Sequence, residues 1–300
     1  MLTGLHFLLT YACTSECDHC FVYSSPTAAG TFTLSQVRQV LDEAQRLGGI
    51  EWIYFEGGEP FLYYGLLLEG VRLASGMGFN TGVVTNAYFA TCEEDAELWL
   101  YPLAEAGLAD CSISDDAFHF GDEPETPAKR ALRAAKRLGI PSDTICIEPA
   151  RAGLAAERAG EKGLPIVEGD VRFRGRAVEK LAAGLPRTPW QDFSECPYED
   201  LADPGRVHLD AYGNVHLCQG LLMGNMWQTP LSELVKSYDP QAHPICGPLL
   251  RGGPARLAQE QAVPHEDAYV EACHLCYALR LSLLDRFPQY LGPRQVYGLP

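Results

Sequence analysis

Residues 5–20 read LHFLLTYACTSECDHC. The apolar run 5–11 predicts a buried β-strand. Three cysteines follow it within eight residues: Cys13, Cys17 and Cys20. Because thiolates are the preferred ligands of iron–sulfur clusters, this triplet predicts a cluster site at the end of the strand. Zinc is the alternative, but three cysteines with His19 between two of them make a poor tetrahedral site.

Beyond this stretch, apolar runs alternate with helical patterns to about residue 150. Short apolar runs predict strands at 52–55, 82–85, 109–114 and 144–148, with a sixth strand expected at 171–173. Helical periodicity predicts helices at 33–47, 66–76, 96–106 and 127–138. This alternation predicts parallel βαβ units. Six strands are too few for a closed eightfold barrel, so we expect an α/β fold with a partial (β/α)6, TIM-like barrel.

The alternation stops near residue 182. We therefore expect a barrel over residues 1–182 and a small C-terminal domain over residues 183–300. Within the latter, the turn residues 212–214 predict a hairpin over 207–218. Further helices are expected at 231–238 and 273–284.

Charge and cysteine content limit the partners and the compartment. The chain has 300 residues, with 39 Asp and Glu against 23 Lys and Arg, a formal net charge of −16. This excess disfavours nucleic-acid binding through phosphates and suits a basic peptide or a small molecule. No run approaches the roughly 20 apolar residues of a membrane span, and the N-terminus lacks the basic start of a secretory signal. A cytoplasmic protein with reduced cysteines and no membrane partner is expected.

Four motifs follow successive predicted strands in order. They are Cys13-x3-Cys17-x2-Cys20, Glu56-Gly57-Gly58-Glu59-Pro60, Thr85-Asn86, and Ser114-Asp115-Asp116-Ala117-Phe118-His119. Together they resemble the motifs of the radical S-adenosylmethionine (radical SAM) enzymes, whose hallmark is Cys-x3-Cys-x2-Cys after the first strand. The resemblance covers residues 4–180.

The resemblance implies the cofactors and the chemistry. Cys13, Cys17 and Cys20 would hold a [4Fe–4S] cluster whose open iron binds SAM. An electron from the cluster would cleave SAM to a 5′-deoxyadenosyl radical, which abstracts a substrate hydrogen. An electron donor such as flavodoxin or ferredoxin is implied as a partner. The residues expected to bind SAM are His19, Gly57, Gly58, Glu59, Asn86 and Ser114.

Several residues near these motifs have two interpretations. Asp116 and His119 lie where a barrel builds its active site and are candidate proton acceptors, but helix capping is the alternative. Strand-end capping is likewise the alternative for Asn86 and Ser114. An arginine at 130 or 133 would reach the SAM carboxylate, although a solvated helix face is favoured for both.

A second set of cysteines occupies the C-terminal third: Cys196, Cys218, Cys273 and Cys276. Four thiolates saturate one cluster or one zinc ion. Gly213-x4-Cys218 with a distant Cys-x2-Cys resembles the auxiliary-cluster extensions of radical SAM enzymes, called SPASM in the long form and twitch in the short form. Since no cysteine follows Cys276, the resemblance implies a twitch-like domain with one fully ligated [4Fe–4S] cluster, for electron transfer or structure.

Three other cysteines are interpreted separately. Cys111 and Cys146 lie in apolar runs and are expected to be buried. Cys246 is only a candidate for a spare ligand or a thiol near the active site, and neither role is favoured.

The leading functional hypothesis is modification of a ribosomally made peptide or protein side chain. The alternative is a small-molecule dehydrogenase that oxidises a sugar or aminocyclitol alcohol, which the short one-cluster extension favours. A non-catalytic zinc-binding protein is a third possibility. The intact Gly57-Gly58-Glu59 motif argues against it, because zinc storage would not need that motif.

Overall fold

The computed structural model describes residues 2–155 and 163–300. The strands in these ranges are β1 Gly4–Thr10, β2 Trp52–Gly57, β3 Asn80–Thr85, β4 Leu108–Ser114, β5 Ser142–Ile145, β6 Arg151–Leu154, β7 Pro165–Glu168, β8 Thr188–Pro189, β9 Arg206–Asp210, β10 Asn214–Cys218, β11 Leu221–Asn225 and β12 Ala268–Tyr269. The α-helices are α1 Leu34–Leu47, α2 Tyr64–Gly76, α3 Glu93–Glu105, α4 Ala117–Phe120, α5 Pro127–Arg137, α6 Arg176–Lys180, α7 Leu231–Ser237, α8 Cys246–Gln261 and α9 Ala272–Leu283.

An eight-stranded sheet carries the fold, in the order β11-β10-β9-β1-β2-β3-β4-β5. The six strands from β9 to β5 in this order run parallel, and β10 and β11 add an antiparallel hairpin edge. Helices α2 and α5 contact both strands that they connect, and α3 contacts β4. This arrangement confirms the expected α/β fold and its parallel βαβ units.

Local sequence explains why the helices begin and end where they do. Helix α1 starts at a capping box, in which the Thr33 side chain accepts from the Gln36 N–H and the Gln36 side chain accepts from the Thr33 N–H. It ends at Gly48, which adopts a left-handed conformation. These bounds confirm the helix predicted over 33–47.

The sixth parallel strand is not where the sequence placed it. Residues 171–173 form no strand, and the Phe173 N–H instead donates to the Glu271 carboxylate at 2.8 Å. The sixth strand is β9, which pairs with β1 from Gly4↔Arg206 to Leu8↔Asp210. Strand β9 suits this position next to β1, because four of its five residues are buried, as parallel strands of a covered sheet require.

The chain forms two compact units. The first comprises Met1–Glu16, Ser24–Cys146 and Asp203–Tyr238, and the second comprises Cys17–Tyr23, Ile147–Ala202 and Asp239–Pro300. The boundary expected at residue 182 does not coincide with this division. The backbone pairing of β9 with β1, and the bonds from Ser232 to the Glu43 carboxylate, hold residues 203–238 in the first unit.

Within the second unit, α8 contacts α9, β8 pairs with β12, and β6 pairs with β7. Helix α8 is kinked at Gly252 and Gly253, whose backbone angles are not helical. No helix in the described ranges has the length and apolar character that crossing a membrane requires.

Candidate active site

Two glycines let the end of β2 lie against the chain that leads into Cys13. A Cβ atom would stand 2.4 Å from the Thr10 carbonyl oxygen at Gly57, and 2.1 Å from the Ala12 carbonyl oxygen at Gly58. Two backbone hydrogen bonds join the segments at this point. Gly58 N–H donates to the Thr10 carbonyl at 2.7 Å, and Glu59 N–H donates to the Ala12 carbonyl at 2.9 Å. Only glycine permits this approach. The Gly-Gly-Glu motif and the start of the cysteine loop are therefore neighbours.

Glu59 joins the ends of two strands. Its side chain is fully buried. One carboxylate oxygen accepts from Phe61 N–H at 3.0 Å and from Thr85 Oγ1 at 2.8 Å, and the other accepts from Asn86 N–H at 2.8 Å. Burial raises the pKa of Glu59 to about 7, while these hydrogen bonds oppose the rise. A cationic ligand beside this carboxylate would keep it ionised.

Asn86 connects the end of β3 with the cysteine loop. Its amide nitrogen donates to Thr14 Oγ1 at 3.0 Å and to Cys13 Sγ at 3.7 Å, while its oxygen accepts from Tyr88 N–H at 3.0 Å. The side chain thus reaches beyond strand-end capping. It places a hydrogen-bond donor directly on the first cysteine of the motif, and Cys13 itself is buried.

Cys17, His19 and Cys20 lie on a turn in the second unit, where Cys20 N–H donates to the Cys17 carbonyl at 3.0 Å. Arg176 fixes both ends of this turn. The guanidinium of Arg176 donates to the Cys17 carbonyl at 2.8 Å, and the backbone N–H of Arg176 donates to the Cys20 carbonyl at 2.9 Å. At Gly175, whose φ is 61°, a Cβ would stand 2.5 Å from the Cys20 oxygen. Sequence reasoning missed these two residues, although a glycine between two arginines was a visible signal.

Asp116 and His119 form a local pair. One Asp116 carboxylate oxygen accepts from the N–H groups of Phe118 at 3.0 Å and His119 at 3.2 Å, which caps α4. The same oxygen lies 2.8 Å from Nδ1 of the His119 ring. The capping interpretation of Asp116 therefore holds, and the carboxylate also orients the imidazole. Ser114 ends β4 opposite Ile145 of β5.

Arg130 and Arg133 on α5 face other groups. Arg130 donates from Nε to the Ala90 carbonyl at 2.7 Å. Arg133 forms ion pairs with Glu93 and Glu125, and these side chains are partly or fully exposed. The contacts of Arg133 agree with the favoured interpretation of a solvated helix face, whereas Arg130 is partly buried.

The second set of cysteines is divided between the two units. Cys218 ends β10 in the first unit, and Cys196 lies in the second unit with Cys273 and Cys276, which occupy the first turn of α9. All four are partly exposed. Glu271, at the N-cap of α9, accepts the Phe173 N–H and so ties residues 171–173 to the Cys-x2-Cys turn. Their joint ligation of one cluster stays a prediction.

The remaining cysteines divide clearly by burial. Cys111 is fully buried in β4, as predicted, and burial raises the pKa of its thiol to about 12. The prediction for Cys146 is wrong, since the residue is exposed. It follows the edge strand β5, three of whose four residues are exposed. Cys246 is buried at the start of α8, where its N–H donates to His243 Nδ1 at 3.1 Å.

Comparison with known proteins identifies the first half of the chain. Residues 7–149 match the family model of the Radical SAM superfamily. Residues 7–149 form a radical SAM domain. This match contains the cysteine triplet, the Gly-Gly-Glu motif, Asn86, Ser114 and the Asp116–His119 pair.

Two curated relatives of this radical SAM domain match over part of their length. The putative peptide biosynthesis protein YydG of Bacillus subtilis (strain 168) is 25% identical over 125 residues, which are 42% of this chain and 39% of that protein. The PqqA peptide cyclase of Bradyrhizobium diazoefficiens (strain JCM 10833 / BCRC 13528 / IAM 13628 / NBRC 14792 / USDA 110) is 32% identical over 110 residues, 35% of this chain and 26% of that protein. The chain therefore matches well under half the length of either relative.

A solved structure similar to this chain is that of BtrN in complex with AdoMet and 2-DOIA. It has a TM-score of 0.51 and 15% sequence identity, and the alignment covers 78% of this chain and 82% of BtrN. At this identity the likeness concerns the fold. With the parallel six-stranded core, it confirms the partial-barrel fold.

Proposed function

We propose that this chain is a radical SAM enzyme that abstracts a hydrogen atom from a side chain of a ribosomally made peptide or protein. The observation that carries the proposal is the radical SAM domain over residues 7–149. Two relatives with peptide in their names favour a peptide substrate. The net charge of −16 would attract a basic one.

The donor set fits the cofactors. Cys13, Cys17 and Cys20 supply three thiolates for a [4Fe–4S] cluster and leave one iron for SAM. When bound, the cluster supplies the electron that cleaves SAM to the 5′-deoxyadenosyl radical. The Asn86 amide, 3.7 Å from Cys13 Sγ, donates toward one of the thiolates.

The surrounding residues bind and orient SAM. Gly57 and Gly58 present backbone next to the cysteine loop, and Glu59 accepts the SAM ammonium group at its buried carboxylate. Asn86, Ser114 and His19 contact the rest of the cofactor.

His119 acts as the proton acceptor for the substrate. Asp116 holds Nδ1 of the ring at 2.8 Å, which keeps the proton on Nδ1 and leaves Nε2 as the acceptor.

The second cysteine set has a supporting role. Cys196, Cys218, Cys273 and Cys276 would hold a fully ligated auxiliary [4Fe–4S] cluster, which would supply an electron acceptor for the substrate radical. Flavodoxin or ferredoxin would be the electron donor of the first cluster, in a cytoplasm that keeps the thiols reduced. One structural zinc ion is the alternative for these four cysteines.

Iron content tests both cluster sites. After anaerobic reconstitution we expect about eight irons per chain, falling to about four when the first three cysteines are changed to alanine. Cys92→Ser is the matched control, because it removes a thiol outside both sets and serine preserves the N-cap of α3. About four irons falling to none would mean that the second set holds zinc or nothing. Negligible iron in every protein would refute the proposal.

Product analysis tests the reaction and the substrate. With dithionite and SAM, the reconstituted protein is expected to release 5′-deoxyadenosine, and the triple variant is not. A basic peptide substrate should increase this release. Mass spectrometry should then show that the peptide has lost two hydrogens, one as a hydrogen atom and one as a proton and an electron. Stimulation by a sugar or aminocyclitol alcohol instead, with oxidation of its hydroxyl, would establish the small-molecule alternative.

A further inference from the structure

A group of three polar side chains outside the cysteine motifs lies on the sheet of the first unit. It consists of His6 on β1, Glu56 on β2 and His208 on β9. Nδ1 of His6 lies 3.0 Å from Glu56 Oε1, and Nε2 of His208 lies 2.9 Å from the same oxygen. The sequence did not reveal this group, because its members are about 50 and 150 positions apart along the chain.

The strand register brings these side chains together. His6 is paired with His208 on one side and with Tyr54 on the other. Glu56 follows Tyr54 by two positions and so shares its face of the sheet. The alternate positions, including Phe7 and Phe55, are fully buried on the opposite face. The convergence therefore follows from the arrangement of three adjacent parallel strands.

The spacing suits a metal ion. The three ligand atoms lie within 4.8 Å of one another. Ligands bound at about 2.1 Å and at right angles stand about 3.0 Å apart, close to the two measured distances to Glu56. Two imidazoles and one carboxylate on one side of an ion are a donor set that divalent transition metals use, with positions left open.

Burial strengthens the case. The side-chain exposures of His6, Glu56 and His208 are 18%, 16% and 10%. Both histidines lie within hydrogen-bond distance of the Glu56 carboxylate, and a metal ion held by the three side chains would add a full positive charge beside this poorly hydrated group. Tyr54 stacks on the His6 ring at 4.8 Å and 19°, so the ring is held in place without a ligand. The remaining exposure leaves access for an ion.

We propose that His6, Glu56 and His208 bind one divalent transition-metal ion. Three protein ligands leave coordination positions for an oxygen donor, such as a carboxylate, amide or hydroxyl oxygen of a small molecule or peptide. The site shares no residue with either cysteine set, and Glu56 directly precedes the Gly57-Gly58-Glu59 motif.

The test uses reconstituted protein, whose cysteines are occupied by clusters, dialysed anaerobically against micromolar Zn²⁺ and then against buffer. Zinc and iron are counted together by mass spectrometry. We expect one zinc per chain in the wild type, and its loss in Glu56→Gln and in His208→Gln with iron unchanged. His265→Gln is the matched control, since His265 is an exposed histidine of the second unit.

Two outcomes would overturn the proposal. One is a zinc content that is the same in the wild type and in Glu56→Gln, which would leave only a hydrogen-bonded His–Glu–His group. The other is a zinc ion bound by sulfur. X-ray absorption at the zinc edge of the wild type, which does not depend on how the variants fold, is expected to show nitrogen and oxygen ligands at about 2.0–2.1 Å. A sulfur shell at about 2.3 Å in their place would assign the zinc to cysteines.

Discussion

At the residue scale, this protein depends on positions that admit no substitute side chain. Gly58 lies closest to a neighbouring backbone, with an added Cβ 2.1 Å from the Ala12 oxygen. A backbone atom cannot move aside as the end of a flexible side chain can. The contact between Gly58 and Ala12 also fixes where the cysteine loop begins. Gly58 therefore matters both for the fold and for the proposed function.

Gly58→Ala is expected to destabilise the protein by about 2 kcal/mol or more and to abolish 5′-deoxyadenosine formation, because the end of β2 must separate from the cysteine loop. Chemical denaturation and product analysis measure the two effects. Gly65→Ala is the control, since an added Cβ there meets nothing within 4 Å. Equal stability of Gly58→Ala and Gly65→Ala would contradict the close approach.

Glu59 makes the stability of the cluster-free, SAM-free protein depend on pH. Burial raises the pKa of this carboxyl to about 7 from an ordinary value of 4.5, so the folded state binds a proton that the unfolded state releases between these values. This stabilisation is present below pH 4.5 and is lost as the pH rises through about 7. The loss is at most about 3 kcal/mol.

Urea denaturation at pH 5 and pH 8 measures the effect. Glu59→Gln keeps an oxygen acceptor and cannot titrate, so its unfolding free energy should change less between the two pH values than that of the wild type. The same pH dependence in both proteins would show that Glu59 does not titrate in this range.

At the element scale, α6 positions the second half of the cysteine motif. Arg176 begins this helix and bonds the carbonyls of Cys17 and Cys20. Both bonds lie within the second unit. The helix is thus a support for the turn, although it is five residues long and has little stability of its own.

Arg176→Ala is expected to weaken cluster retention several-fold, because the guanidinium bond to the Cys17 carbonyl is lost while the backbone bond remains. The rate of iron release to a chelator measures retention. Lys180→Ala, at the exposed end of the same helix, should release iron at the wild-type rate. Identical rates for Arg176→Ala and wild type would remove the positioning role.

The β9–β10 hairpin is fixed by one buried carboxylate. Asp210 accepts from the N–H groups of Tyr212 at 2.9 Å and Asn214 at 3.0 Å through one oxygen. Its other oxygen accepts from Tyr11 Oη at 3.0 Å and lies 3.1 Å from His216 Nε2. The turn and the end of β1 are therefore held by the same side chain.

Asp210→Ala is expected to cost about 3–5 kcal/mol, because several buried polar groups lose their acceptor together. The midpoint of chemical denaturation reports this loss. Asp42→Ala, at an exposed position of α1, is the control and should stay within about 0.5 kcal/mol of wild type. A small effect at Asp210 would mean that water replaces the carboxylate.

At the scale of the whole molecule, the first unit is discontinuous in sequence. Its parallel sheet takes five strands from the first 146 residues and the sixth, β9, from residues 206–210. Without β9 to β11, β1 would be the edge strand of the remaining sheet, with unpaired backbone groups on that side.

A fragment of residues 1–182 is therefore expected to aggregate or to unfold without a cooperative transition. A fragment of residues 1–238, which retains β9 to β11 and α7, should stay in solution better at the same concentration. Light scattering and thermal melts compare the two. A cooperative, monomeric fragment of 1–182 would support the boundary expected from the sequence.

Much of the fold was predictable because its signals are local. The apolar run before Cys13, the capping box at Thr33 and the left-handed Gly48 act within a few residues, and the structure places the elements close to where these patterns predict them. The cysteine triplet and the Gly-Gly-Glu motif could likewise be recognised from the sequence, since each is short and follows a strand. Cys146 was misjudged because an apolar neighbourhood does not show that a strand lies at a sheet edge.

What the sequence determined by itself was the α/β alternation, the radical SAM motifs and the chemistry that their thiolates, glycines and carboxylate can support. Only the tertiary structure decided that β9 completes the parallel sheet, that Arg176 holds the Cys17–Cys20 turn, and that His6, Glu56 and His208 meet. The physical reason is distance along the chain. Periodicity and spacing report on neighbours within one element, whereas strand pairing across 150 to 200 residues is selected by the burial and hydrogen bonding of the whole sheet.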